Sequence, residues 1–363
     1  MATAMAMDEL SNDYPWIQTP LVACAPMRLI ALAPLAVAVS KAGGLGFVGA
    51  GSDVSTLRNE LKSAHLSLSQ QRLTQPALFP DPSIIPVGVG FLLWGAPLRE
   101  TVSILAEHTP AAAWLFAPRQ PSNLATWTRE IRRATQGKTK IWIQIGTVQE
   151  AVFAVRECLP DVLVVQGQDA GGHGLEQGAG LLPLLPEVLD ALAPVVGNGI
   201  SMPQIVAAGG IIEGRGMAAA LTLGAQGVVL GTRYLAAHQA NLSKGYRDAV
   251  LRAQDGGVST VRSKVYDTLR GTTGWPVQYG GRGVINASYK DAMAGLAMDE
   301  NKKRYEQALK RGDAGWEEGG GGRLTTYAGT GVGLVKRLMD AGDITREIRE
   351  EGVACLKRAA GKL

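Results

Sequence analysis

The chain has 363 residues, 46% of them hydrophobic, with 46 glycines and a formal charge of +4, enough apolar material for one barrel-sized core plus an addition and too much for a disordered chain. The positive charge is spread, since its densest stretch, Lys302-Lys303-Arg304 with Lys310 and Arg311, is interleaved with Glu306 and Asp313; that is the pattern of a solvated helix face, not of a nucleic-acid site. Cys24, Cys158 and Cys355 show no CxxC or Cys/His spacing, so neither a disulfide framework nor a metal site is expected, and no apolar run approaches the roughly 20 residues that span a membrane.

Short apolar runs, each followed by a helical pattern, recur along the chain as the βα units of a parallel sheet do. Strands are predicted at Leu21–Cys24, Gly46–Val48, Val87–Phe91, Ala112–Phe116, Ile141–Ile145, Val162–Val165, Ile205–Ala208 and Gly227–Leu230. Helices are predicted between them at Leu35–Ala42, Val54–His65, Leu98–His108, Asn123–Ala134, Val148–Cys158, Pro186–Leu192 and Gly216–Leu223. About eight such units argue for an α/β fold of the (β/α)8 TIM-barrel type over an open doubly wound sheet. Pro194 to Ile200 also has strand character, but too few residues separate it from Ile205 for a helical crossover, so it reads as an extended loop entering the seventh strand.

After Ala237 the rhythm stops. Residues 1–240 are read as the barrel and 241–363 as a smaller, mainly helical C-terminal domain or cap that returns to the barrel mouth. Within it one long helix is expected over Lys290–Lys310, then the glycine run Gly319–Gly322, an Arg323–Gly333 segment and an amphipathic helix from about Ile344. The N-terminus lacks a basic segment followed by a long apolar core, and the final Gly361-Lys362-Leu363 only half resembles a peroxisomal address. A cytoplasmic protein is the expectation.

Gln166-Gly167-Gln168-Asp169-Ala170-Gly171-Gly172-His173 is the most telling stretch, because it leaves the sixth strand through glycines and ends in a histidine. Glycines let backbone approach a flat ligand, and histidine titrates near neutrality. At the C-terminal end of a barrel strand, where active sites lie, His173 reads as a general base or electrostatic partner. His65, His108 and His238 fall in or at the ends of predicted helices and read as surface or packing residues. Ala207-Ala208-Gly209-Gly210-Ile211, running through Gly214-Arg215-Gly216 into a helix, and Gly231-Thr232-Arg233 end the seventh and eighth strands. Their amides and the helix N-terminus suit a phosphate, the usual arrangement after these two strands of a barrel; the plainer alternative is tight turns alone. Ala25-Pro26-Met27 closes the first strand and could lie against a planar ring or simply pack. Gln144 offers a donor and an acceptor to a ring edge or to a structural partner. Cys24, near the end of the first strand, could face the ligand, but is expected to be buried as a small hydrophobe. Gly329-Thr330-Gly331-Val332-Gly333 lacks the βαβ context of a nucleotide loop and reads as a turn returning to the mouth.

Together these stretches, with Ala42-Gly43-Gly44-Leu45-Gly46 and Gly224-Ala225-Gln226-Gly227, resemble the nitronate monooxygenase family, formerly 2-nitropropane dioxygenases, which are FMN-containing barrels. The resemblance implies that FMN phosphate binds the amides of Gly209, Gly210, Gly231 and Thr232. It places the isoalloxazine near Ala25, Pro26, Met27, Gln144 and Gln166, with Ala170, Gly171 and Gly172 beneath it. His173 matches the family's histidine, the base for a neutral nitroalkane; an anionic alkyl nitronate would instead pass an electron to FMN, and O2 would carry the reaction to a carbonyl compound and nitrite. Some relatives carry lysine where Gln144 stands, and Gly197–Met202 looks like an insertion before a cofactor strand. An NAD(P)H-dependent flavin reductase of a quinone or an enoyl thioester would share these motifs, as would a barrel that binds flavin or phosphate without turnover. Resemblance to inosine monophosphate dehydrogenase is weaker, since no cysteine occupies a plausible catalytic loop. Tyr289, Lys290 and Tyr327 lie where the cap could meet an anionic substrate, though solvated or packing roles are the plainer reading.

Overall fold

The computed structural model describes residues 10–197, 199–317 and 322–362. Eight parallel strands close into a barrel: β1 (Leu21–Cys24), β2 (Leu45–Gly51), β3 (Ile85–Leu92), β4 (Pro110–Phe116), β5 (Lys140–Ile145), β6 (Val162–Gln166), β8 (Gln204–Ala208) and β9 (Gly227–Leu230). These are the eight expected strands, with ends extended by one to three residues in β2 to β6 and β8. The barrel pairs β6 directly with β8 and closes β9 onto β1. β7 (Gly172–Leu175) therefore lies outside it.

Alternation along each strand sorts the side chains. Leu21, Ala23, Phe47, Trp114, Trp142, Val164 and Val229 meet in the interior, where residues Leu10 to Ile17 pack against the strands' beginnings. There the Trp142 indole N–H donates to the Tyr14 hydroxyl at 2.7 Å. Residues of opposite parity, Val22, Cys24, Val89, Leu115, Ile143, Leu163, Ile205 and Val228 among them, face the surrounding helices. Those helices are α1 (Ala33–Lys41), α2 (Leu57–Thr74), α3 (Leu98–His108), α4 (Ser122–Thr135), α5 (Val148–Cys158), α6 (Leu181–Leu192) and α7 (Gly214–Thr222). Between α6 and β8 the chain is not an extended loop. It turns at Ala193–Val195, and Gly197 and Ile200 exchange two backbone hydrogen bonds at 2.9 and 3.0 Å.

The remainder is less helical than its composition suggests. It holds α8 (Lys244–Arg252), α9 (Gly256–Ser259), β10 (Thr260–Ser263), α10 (Val265–Arg270), β11 (Tyr279–Val284), α11 (Ala287–Met293), α12 (Met298–Lys310) and α13 (Ala341–Ala360). β11 pairs antiparallel with both β10 and β7, so a piece of the barrel's own loop is built into the cap's sheet. The expected long helix over Lys290–Lys310 is two helices, broken where Gly295 takes φ +87°; a left-handed residue cannot continue an α-helix. The glycine run at 319–322 falls outside the described residues except for Gly322.

The last helix, α13, packs against α7, α1 and β1 and so stands where a barrel's eighth helix belongs. Arg349 fixes it there: the buried guanidinium donates to the carbonyls of Pro20, Ala42 and Gly43 and to Gln18 Oε1. Removing it strands buried acceptors, each costing about 1–3 kcal/mol. Arg349→Ala is therefore expected to lower the urea or thermal unfolding midpoint substantially. An unchanged midpoint would show that the helix docks by its apolar face alone.

Candidate active site

The strands' C-terminal ends surround a cavity of about 700 Å3. One wall is Ala25-Pro26-Met27, which leaves β1 and folds across the mouth. It can lie so close because Gly49 and Gly90 stand beneath it; a Cβ on Gly49 would overlap the Met27 backbone and one on Gly90 the Pro26 ring. Interior parity carries Trp142 to Gln144 and Val164 to Gln166 at the strand tips, and both glutamines line the cavity. Gln144 Oε1 accepts the Trp114 indole N–H at 3.0 Å, and its amide N–H pair has no protein partner among the described residues. Cys24, of opposite parity, is buried against the helices, and burial pushes its thiol pKa up.

A second wall is made of glycine. Gly209 and Gly210 have φ of +98° and +78°, a region that side chains rarely adopt, and both line the cavity together with Gly231 and Thr232. Among the described residues the amides of Gly209, Gly210 and Gly231 donate to no protein acceptor. The Thr232 hydroxyl is occupied, accepting the Gly329 amide at 2.9 Å. Thr330 donates its amide and hydroxyl to Asp169, so the Gly329–Gly333 turn does return to the mouth. The N-terminus of α7 does not share in this cradle. Gly214 packs on Glu351 of α13 and donates its amide to that carboxylate at 3.3 Å, so the helix end expected to meet an anion already has one. Arg233 likewise turns away, toward the Arg337 carbonyl and the Met339 sulfur.

His173 forms the third wall. It is held as part of β7, opposite Gly281 of β11. Its ring stacks on Trp275 with centroids 3.7 Å apart and planes 3° from parallel, and Tyr327 meets it edge-on at 5.3 Å. Nε2 lies 2.9 Å from both oxygens of Asp267. Ala170, Gly171 and Gly172 continue the wall below. The turn they form is clamped by Arg262 of β10, which donates to the carbonyls of Gln168, Ala170, Gly172 and Gly280 and to Gln168 Oε1. All five guanidinium N–H bonds are thereby used. Burial, with the nearby charge of Arg282, pushes its pKa down to about 10, so it is charged at neutral pH.

The cavity thus gathers the expected residues from Ala25 to Tyr327 with two exceptions. Tyr289 and Lys290 on α11 do not line it, because Tyr266 stands between: its ring meets Tyr327 on one side and Tyr289 on the other. His65 and His238 are exposed, and His108 sits at the end of α3 beside Glu107. Sequence reasoning missed Asp267, Trp275, Arg262 and Arg270. Each lies in a segment without a strong motif, and only the pairing of β7 with β11 brings them to the histidine.

A closed parallel barrel with an apolar platform, open amides and a carboxylate-bound histidine at its C-terminal mouth is a TIM-barrel enzyme with its site in the usual place. The sequence pattern of nitronate monooxygenase matches residues 115–351. The chain is 46% identical over 359 residues to the nitronate monooxygenase npaC of Metarhizium robertsii, covering 98% of this chain and 97% of that one. It is 40% identical over 372 residues to a nitronate monooxygenase of Neurospora crassa, with 97% and 94% covered. The chain belongs to the nitronate monooxygenase family and is an oxidoreductase. Its fold is shared with FabK from Thermotoga maritima (TM-score 0.70, 22% identity, 98% of each chain). It is shared also with nitroalkane oxidase from Streptomyces ansochromogenes (TM-score 0.67, 21% identity, 97% and 99% covered). Among the described residues no helix is long and apolar enough to cross a membrane.

Arg262→Lys keeps the charge but has three donors for five acceptors. Amide hydrogen exchange over Gly172–Leu175 is expected to quicken at least about tenfold, the equivalent of about 1.4 kcal/mol. Unchanged protection would show that β11 pairing alone holds the strand.

Proposed function

We propose that the protein is an FMN-dependent enzyme that oxidises alkyl nitronates with O2 to a carbonyl compound and nitrite, and that neutral nitroalkanes enter through proton abstraction by His173. The observation that carries this reading is that the Ala25–Met27 platform, the glycine amides and His173 line one cavity in a chain of this family. A flat ring and a phosphate, the two ends of FMN, fit walls of those kinds. The amides of Gly209, Gly210, Gly231 and Thr232 would hold the phosphate. Ala25, Pro26 and Met27 would lie against the ring, and Gln144 and Gln166 would meet its polar edge. When bound, FMN supplies the electron acceptor that the side chains lack.

The chain's own groups account for the rest. Arg28 and Arg270 line the cavity and make its field favourable to an anion such as a nitronate. The Arg270 guanidinium lies 5.3 Å from the Tyr327 ring, beside the histidine. Trp94, Phe116 and Trp275 line the same mouth with apolar surface and keep water from the reacting carbon. Tyr327 stays un-ionised, since burial and then the charge of Asp267 raise its pKa, and it therefore donates its hydroxyl proton.

The deciding measurement is an anaerobic visible spectrum of the purified protein, mixed separately with an alkyl nitronate and with NADH or NADPH. Bleaching by the nitronate is expected; reduction by the nicotinamide alone would replace this reading with a flavin reductase. His173→Ala is expected to retain flavin and to lose about 10²–10⁴-fold in kcat/KM on neutral nitroalkanes, with a much smaller loss on nitronates. Equal losses would remove the base role. Gly209→Val is expected to purify with little flavin, because its Cβ would stand 2.7 Å from the Gly167 carbonyl at a φ of +98°. Full occupancy in a well-folded variant would move the phosphate elsewhere.

A further inference from the structure

Asp267 is 5% exposed, and its only ion-pair partner among the described residues is His173. Three donors converge on its carboxylate. His173 Nε2 reaches both oxygens at 2.9 Å, the Thr272 hydroxyl reaches Oδ1 at 2.9 Å, and the Tyr327 hydroxyl reaches Oδ1 at 3.2 Å. An ionised carboxylate can only accept, so a neutral His173 facing it must carry its proton on Nε2. A half-turn of the imidazole would set Cε1 against the carboxylate and forfeit the bond, and Trp275 and Tyr327 fix the ring plane. Nδ1 has no protein partner among the described residues, and His173 lines the cavity while Asp267 does not.

We propose that Asp267 is a positioning residue that holds the His173 proton on Nε2 and thereby makes Nδ1 the atom that receives the substrate's carbon-bound proton. This rests on the nitroalkane reading above. In the step, the C–H bond of the neutral nitroalkane breaks and an Nδ1–H bond forms. The electron pair moves onto the nitro oxygens, giving the nitronate anion and an imidazolium. The new cation forms against the Asp267 carboxylate, and the new anion forms in the field of Arg270. The other charged groups near this strand pair are Arg270 beside the Tyr327 ring and, on the far face of the β7–β11 sheet, Arg262 and Arg282, whose charges are opposed by Glu176 and Asp169. Among these charged groups Asp267 alone touches the ring, at 2.9 Å, so it is the one that most directly favours the imidazolium. Thr272 and Tyr327 temper that effect by stabilising the carboxylate charge.

The test has two independent readouts. With only four histidines in the chain, long-range 1H–15N spectra of histidine-labelled protein resolve each tautomer, and the signals lost in His173→Ala assign the ring. His173 is expected as the Nε2–H tautomer at high pH in the wild type; an Nδ1–H tautomer there overturns the proposal whether or not nitroalkanes are substrates. The second readout is the pH profile of kcat/KM for a neutral nitroalkane. Asp267→Asn should lower the plateau about 10²–10⁴-fold and move the acid limb to lower pH, because the imidazolium loses its counter-charge. Thr272→Val should move that limb the other way, since a carboxylate with one donor fewer attracts the imidazolium more strongly. Turnover of the nitronate should change less than about threefold in either variant, far below the general-base factor. Equal losses on both substrates, or limbs that do not move in opposite directions, would reduce Asp267 to a packing role. Turnover of neither substrate by the wild type would remove the functional reading and leave the tautomer result standing.

Discussion

The site depends on the direct pairing of β6 with β8. A closed barrel has no room for an extra strand between them, so the chain from Gly167 to Pro203 must leave the sheet and find partners for its backbone elsewhere. β11 supplies them for Gly172–Leu175, and Arg262 supplies them for the turn before it. Both come from the segment between β9 and α13, about a hundred residues further along. The histidine is thus not on a free loop. It is on an edge strand whose position is set by an insertion from the other end of the chain, which is why the cap and the barrel make one cavity.

Charge is distributed in the mouth with a consistent sense. Carboxylates beside the cavity are occupied: Asp169 takes the Thr330 hydroxyl and Asp267 the histidine. Arg28 and Arg270 line the cavity, and no ion pair holds either among the described residues. An open pair of cations beside open glycine amides favours anionic groups at both ends of the space. The middle is apolar, walled by Met27, Trp114, Phe116 and Trp275, and suits a flat ring.

Much of this was readable from local pattern. Strand parity, a period of two, predicts that Gln144 and Gln166 share a face with the interior residues two positions before each, and it sends Cys24 to the other side. Glycines at consecutive strand ends point to a wall of open amides, because few residues other than glycine serve where φ is strongly positive. The failures were of another kind. Lys290–Lys310 has helical composition on either side of Gly295, and the chain breaks there because that glycine takes a φ of +87°. The amphipathic end of the chain reads as part of a smaller domain or cap, yet its apolar face docks between α7 and α1. The N-terminus of α7 reads as free for an anion in the sequence, but Glu351 of that same last helix occupies it.

The sequence by itself determined the eight βα units, the chemistry available at each strand end and the family to which the chain belongs, because these follow from periodicity and short motifs that need no distant partner. Tertiary structure alone decided what surrounds His173. Asp267, Trp275, Arg262 and Arg270 carry no local signature, being single residues in one short helix, a strand and a turn, and their meaning arises only when antiparallel pairing of β11 with β7 gathers them around the histidine. Local pattern reports which way a side chain faces; only closure of the fold reports what it faces.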